Sequence, residues 1–167
     1  MSLPPSALRV VVSDAGPLIA LGRLDLLALL PALFTQVQVP QAVLAECQAR
    51  PENVDAGRIR AAVDQRWLTP CDATPIVKEG LDLGERAAIA RAVEIGAGLL
   101  ADDRAARQYA FSLGLVVVGT LGVLVQAKRA GHVATIGPLI ELLRAGGQRL
   151  SHAAVAQALA AAGETTD

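Results

Sequence analysis

Five acidic residues stand where their carboxylates could converge: Asp14, Glu46, Glu85, Asp102 and Asp103. Asp14 follows Ser13 at the end of the apolar run Val10–Val12, just before a Gly16-Pro17 turn into a helical pattern. Asp102 and Asp103 follow a second apolar run, Ala97–Leu100. In open α/β sheets ligands bind beyond the carboxyl ends of the strands, so acids in those places carry chemical weight. Glu85 falls in the first turn of a helical segment, and Glu46 is the one acid in the otherwise mainly apolar QAVLAEC. Each has a structural explanation: Asp14, Glu85 and Asp103 suit helix N-termini, worth about 1 kcal/mol apiece, and Glu46 suits an exposed helix face. If they converge, they repel one another and raise each other's pKa. A hard divalent cation, Mg²⁺ or Mn²⁺, relieves that repulsion with oxygen ligands, and such a centre activates water and neutralises charge on a phosphodiester. Zinc finds no support, because His132 and His152 have no ligand spacing and read as surface residues.

Short β-branched runs alternate with helical patterns, the form taken by a parallel α/β sheet. Strands are expected at Arg9–Val12, Val37–Val39, Ala97–Leu100 and Leu115–Gly119, with an extended piece at Arg66–Leu68 before a loop holding Pro70 and Pro75. Helices are expected from Pro17 to Leu30, ending at Pro31, from Pro40 to Arg50, and from Val54 to Gln65. Others start near Gly84-Glu85, after Asp103 and at Thr120, with two more in the tail, where Pro138 opens one and Ser151 caps the last. Val155 and Leu159 give the last helix an apolar stripe for the core or a dimer partner, and GETTD reads as a frayed end.

The 167 residues are 53% hydrophobic, which suits one compact domain, with a core over about 8–131 and further helices over about 135–163. Aromatics are only 2%, so stacking surfaces for bases are sparse. A net charge of −1 advertises no global affinity for nucleic acid, although Lys128-Arg129 or Arg104 with Arg107 could form a local basic rim. Cys47 and Cys71 lack metal or redox spacing and read as reduced thiols. MSLPPSALR is no signal peptide, and Leu18–Leu33 is interrupted by Arg23 and Asp25, which points to the cytoplasm and away from a membrane. A mean hydropathy of +0.44 is high and points to an apolar partner surface.

VVVSDAGPLIALGRLDLL, VPQAVLAE, LDLGERAAIARAVEIGA, LLADDRAARQYAFSLGL and VVGTLGVLVQAKRAG, in this order, resemble the PIN-domain proteins, in particular a bacterial and archaeal subfamily akin to VapC toxins. The resemblance implies a three-layer α/β/α fold with a central parallel sheet, to which the C-terminal helices are an addition. It implies a Mg²⁺- or Mn²⁺-dependent ribonuclease, with an RNA substrate, a cognate antitoxin protein and a homodimer as partners. Asp14 matches the first family carboxylate and Glu46 the second. The third is commonly Asp; Glu85 takes it here, a longer arm suited to acting through water. The fourth is Asp102 or Asp103. Thr120 and Ser13 are supporting hydroxyls, and Arg104 and Arg107 would hold the RNA backbone. A non-catalytic PIN-like interaction module with a vestigial cleft is the rival reading. A phosphoacceptor receiver domain fails because Gly119-Thr120-Leu121-Gly122 replaces the lysine expected after its last strand, and GTLGVL is too poor in glycine for a dinucleotide fingerprint.

Overall fold

The computed structural model describes residues 9–165. Among them, five strands form one sheet: β1 (Val10–Ser13), β2 (Gln36–Pro40), β3 (Thr69–Cys71), β4 (Gly98–Leu100) and β5 (Val117–Val118). Their order is β3-β2-β1-β4-β5, and every pairing is parallel. Parallel neighbours need crossovers, and these are helical. Helices α1 (Ala15–Arg23) and α2 (Leu29–Leu33) join β1 to β2, and α3 (Gln41–Cys47) and α4 (Val54–Asp64) join β2 to β3. Helix α5 (Leu83–Ile95) returns to β4, α6 (Arg104–Ser112) leads to β5, and α7 (Thr120–Arg129), α8 (Gly137–Ala145) and α9 (His152–Ala161) follow. The chain reverses its march along the sheet between β3 and β4. Right-handed crossovers therefore put α1 to α4 on one face and α5 and α6 on the other, which makes three layers. Val11, Val12, Leu99 and Leu100 on the two central strands are buried, as strands covered on both faces require.

Several local expectations shift. The single helix Pro17–Leu30 is two helices, because Asp25 turns left-handed at φ 57° between them. Pro17 and Pro31 each stand third in a helix, within the first turn, where a missing N–H costs no helical bond. The helix after Pro40 stops at Cys47. The extended piece lies not at Arg66–Leu68 but at β3, since Arg66 is left-handed at φ 63°; β3 is an edge strand and so tolerates Pro70.

Lys128 and Arg129 brace the tail instead of forming a free basic pair. Lys128 Nζ lies 2.9 Å from Glu164 Oε2, and Arg129 Nη2 donates to the Ala161 carbonyl at 3.0 Å. Glu164 also accepts from the Ile136 and Gly137 amides at 2.8 and 3.0 Å, so this part of GETTD is anchored at the start of α8; residues 166–167 lie outside the described residues. Val155 and Leu159 of α9 are buried in the core. Cys47 and Cys71 are free thiols, and burial pushes Cys47 up to about 12. Among the described residues no helix is long and apolar enough to cross a membrane. Residues 1–8, on which the signal-peptide reading mostly rests, lie outside the described residues.

Candidate active site

The switch point of the sheet lies between β1 and β4, and Asp14 stands at its carboxyl end. Its backbone N–H donates to the Leu100 carbonyl at 2.9 Å, which extends the β1–β4 ladder by one residue. Asp14 holds the N-cap position of α1 but makes no side-chain capping bond. Its Oδ1 is buried without a hydrogen-bond partner. Such a group is costly unless something not of the chain completes it. Burial pushes the Asp14 carboxyl up to about 7; the Ala15 amide draws it partly back, and Asp82, Glu46 and Glu85 add repulsion. Ser13 is turned to its own backbone, with Oγ donating to the Asp14 carbonyl at 2.9 Å.

Carboxylate oxygens of Asp14, Glu46 and Asp82 lie within 4.8 Å of one another. Glu46 reaches the group from the last turn of α3, and burial together with Asp82 raises its pKa. Gly84 makes the convergence feasible: a Cβ there would stand 2.8 Å from Glu46 Oε2 and 3.5 Å from Asp14 Oδ1. Asp82, a residue without a role in the family resemblance, stands in the trio where Glu85 is expected. In the folded chain Asp82 Oδ1 accepts from the Glu85 amide at 2.8 Å, and Glu85 Oε2 accepts from the Asp82 amide at 2.9 Å. This reciprocal capping box engages Glu85 in starting α5, while Asp82 offers a carboxylate oxygen to the trio. Glu85 remains close enough to feel Asp82, Asp103 and Glu46, although burial is the main cause of its raised pKa. The pattern D-x-x-E ahead of an apolar helix is the signal that could have separated the two roles.

The Asp102-Asp103 pair divides in a similar way. Asp103 Oδ2 accepts from the Ala106 amide at 3.0 Å and caps α6. Asp102 faces the switch point, where a Cβ on Gly16 would stand 3.6 Å from its Oδ2. Thr120 holds it from the opposite side: the Thr120 amide donates to Oδ1 at 2.7 Å and the hydroxyl to Oδ2 at 2.5 Å. Gln148, a residue with no sequence signal, adds a longer contact from Nε2 to Oδ2 at 3.4 Å. Arg107 Nη1 donates to the Ala101 carbonyl at 2.9 Å, which fixes its guanidinium beside this carboxylate, whereas Arg104 is exposed. Among the described residues, none of the six acids forms a salt bridge.

The family model DUF3368, a PIN domain, matches residues 10–164. The chain belongs to the PIN-domain family. A PilT N-terminus domain protein from the hyperthermophilic archaeon Sulfolobus solfataricus P2 is similar in structure to this PIN domain, with a TM-score of 0.51. The two are 18% identical, and the likeness covers 86% of this chain and 98% of the other. It speaks for the fold, the parallel sheet between helices. No curated protein matches the chain.

The PIN-domain family includes nucleases. The donor set of this member is all carboxylate oxygen, crowded, without salt bridges among the described residues, and it includes an acid with an orphaned buried oxygen. Hard divalent cations prefer such a set, so Asp14, Glu46 and Asp82 fit one.

Proposed function

We propose that this PIN domain is a Mg²⁺- or Mn²⁺-dependent endoribonuclease, the toxin of a toxin–antitoxin pair or a close relative of one. The observation that carries the reading is Asp14, whose Oδ1 is buried and unpartnered and whose carboxylate is grouped with two others. Asp14, Glu46 and Asp82 would hold the cation. When bound, it would supply an activated water and charge neutralisation at the phosphodiester. Thr120 keeps Asp102 aimed, because its amide and hydroxyl each donate to one of the two carboxylate oxygens. Glu85 and Asp103 keep the starts of α5 and α6 in place, and the anchored Arg107 offers a guanidinium to a phosphate. The resemblance to VapC toxins supports a cognate antitoxin protein as the partner and a homodimer as the assembly.

The test combines Mn²⁺ calorimetry with cleavage of a labelled single-stranded RNA. Saturable binding and Mn²⁺-dependent cleavage are expected of the wild type, with both lost in Asp14→Asn and Asp82→Asn proteins that remain folded. Cleavage at the wild-type rate in either variant would remove that carboxylate from the mechanism. A folded wild type that binds no Mn²⁺ would favour the interaction module instead.

A further inference from the structure

A groove of about 880 Å³ starts at Asp102 and runs between α6, β5, α7 and α9. Four arginines line it: Arg104 and Arg107 from α6, Arg129 from the end of α7 and Arg149 from the connector between α8 and α9. Among the described residues none of the four is in a salt bridge, in a chain whose net charge is −1. The one carboxylate on the lining, Asp102, is already engaged by Thr120. Two of the guanidiniums are immobilised by backbone, Arg107 on the Ala101 carbonyl and Arg129 on that of Ala161. Phe111 also lines the groove, and 55% of it is exposed in a chain with only four aromatic residues. The Arg107 guanidinium lies 6.0 Å from its ring centroid.

We propose that this groove binds a single-stranded stretch of the RNA substrate beside the scissile bond, an inference that rests on the ribonuclease reading above. Guanidiniums without acidic partners along one groove suit the phosphates of a single strand, and an exposed ring on the same lining offers a stacking platform for a base. An acidic peptide would satisfy the arginines but gives no reason for the ring. The C-terminal helices thereby gain a role, since Arg149 and the α9 wall belong to them and their connector carries Gln148 to Asp102.

The experiment is anisotropy titration of a fluorescein-labelled oligouridine in EDTA, over a range of salt. Arg104 and Arg149 are exposed and make no side-chain hydrogen bond among the described residues, so Arg104→Ala/Arg149→Ala should leave the fold intact. It is expected to weaken binding at least about tenfold and to reduce the salt slope by about 1.4, near 0.7 per lost phosphate contact. Phe111→Ala is expected to weaken binding about tenfold with the slope unchanged. Mn²⁺ affinity, measured separately, should not move in either variant. Wild-type affinity and slope in both variants would overturn the groove, as would tighter binding of an oligoglutamate than of the RNA. If RNA binds through these residues and yet is not cleaved with Mn²⁺, the groove stands and the ribonuclease reading falls.

Discussion

Replacing Asp14 by Asn should stabilise the metal-free protein, in a manner that depends on pH. The carboxyl rises from 3.8 to about 7 on folding, chiefly through burial. Between those values the folded state holds a proton that the unfolded state has released, so the wild type loses stability as pH rises through that window and levels off above it. At about 1.4 kcal/mol per tenfold, the full loss is roughly 4 kcal/mol, an upper bound that water entering the cleft would reduce. An uncharged amide does not suffer it. Urea unfolding in EDTA should therefore give nearly equal stabilities near pH 4 and an advantage of about 2 to 4 kcal/mol for Asp14→Asn near pH 8. In thermal unfolding the larger value is about 10 °C for a domain of this size. Mn²⁺ should restore the wild type at high pH and leave the variant unmoved, because only the former has the ligand. A difference that is the same at both pH values, or a less stable variant near pH 8, would refute the argument that Asp14 is a desolvated, uncompensated charge.

The capping box separates two acids that stand three residues apart. Asp82→Asn keeps a competent cap and should lose Mn²⁺ binding with little change in stability, whereas Glu85→Ala should lose about 1 kcal/mol of stability and retain most of the Mn²⁺ affinity; calorimetry and urea unfolding on both proteins would expose the reverse assignment. Gly84→Ala places a methyl 2.8 Å from Glu46 Oε2, the end of a flexible side chain, so the expected result is at least about tenfold weaker Mn²⁺ binding with a stability change under about 1 kcal/mol. The Ile136 amide, the Lys128 ammonium and the Gly137 amide hold the Glu164 carboxyl below its ordinary value, and burial opposes them. Its contribution to stability is therefore complete above the unfolded value of 4.5 and disappears as pH falls through the lowered one. Glu164→Gln should lower the melting temperature at neutral pH and have no effect in strong acid, and an unchanged melting temperature at neutral pH would show that the α8 anchor contributes nothing.

Local pattern determined much of this molecule. Apolar runs such as Val10–Val12 alternate with helical segments, and such runs can be buried only inside a parallel sheet covered on both faces, so the architecture and the position of Asp14 at a strand end were legible. Glu46 was legible as a misfit in an apolar helix. Tertiary structure decided which acids meet. Asp82 and Glu85 share one helix turn, as Asp102 and Asp103 share one strand end, and spacing alone does not say which of each pair an orphan amide will take. At α5 the Glu85 amide took an oxygen of Asp82 while Glu85 closed back on the Asp82 amide, and at α6 the Ala106 amide took one of Asp103; Asp82 also met Glu46 and Asp14 across two crossovers, and Asp102 met Thr120 from the adjacent strand's helix. The groove of arginines was hidden for the same reason: Arg107 and Arg149 lie far apart in the chain, and only the docking of α9 on the core brings them to one channel. Sequence spacing sets the face a side chain occupies on its own element; convergence between elements follows from how the chain crosses the sheet.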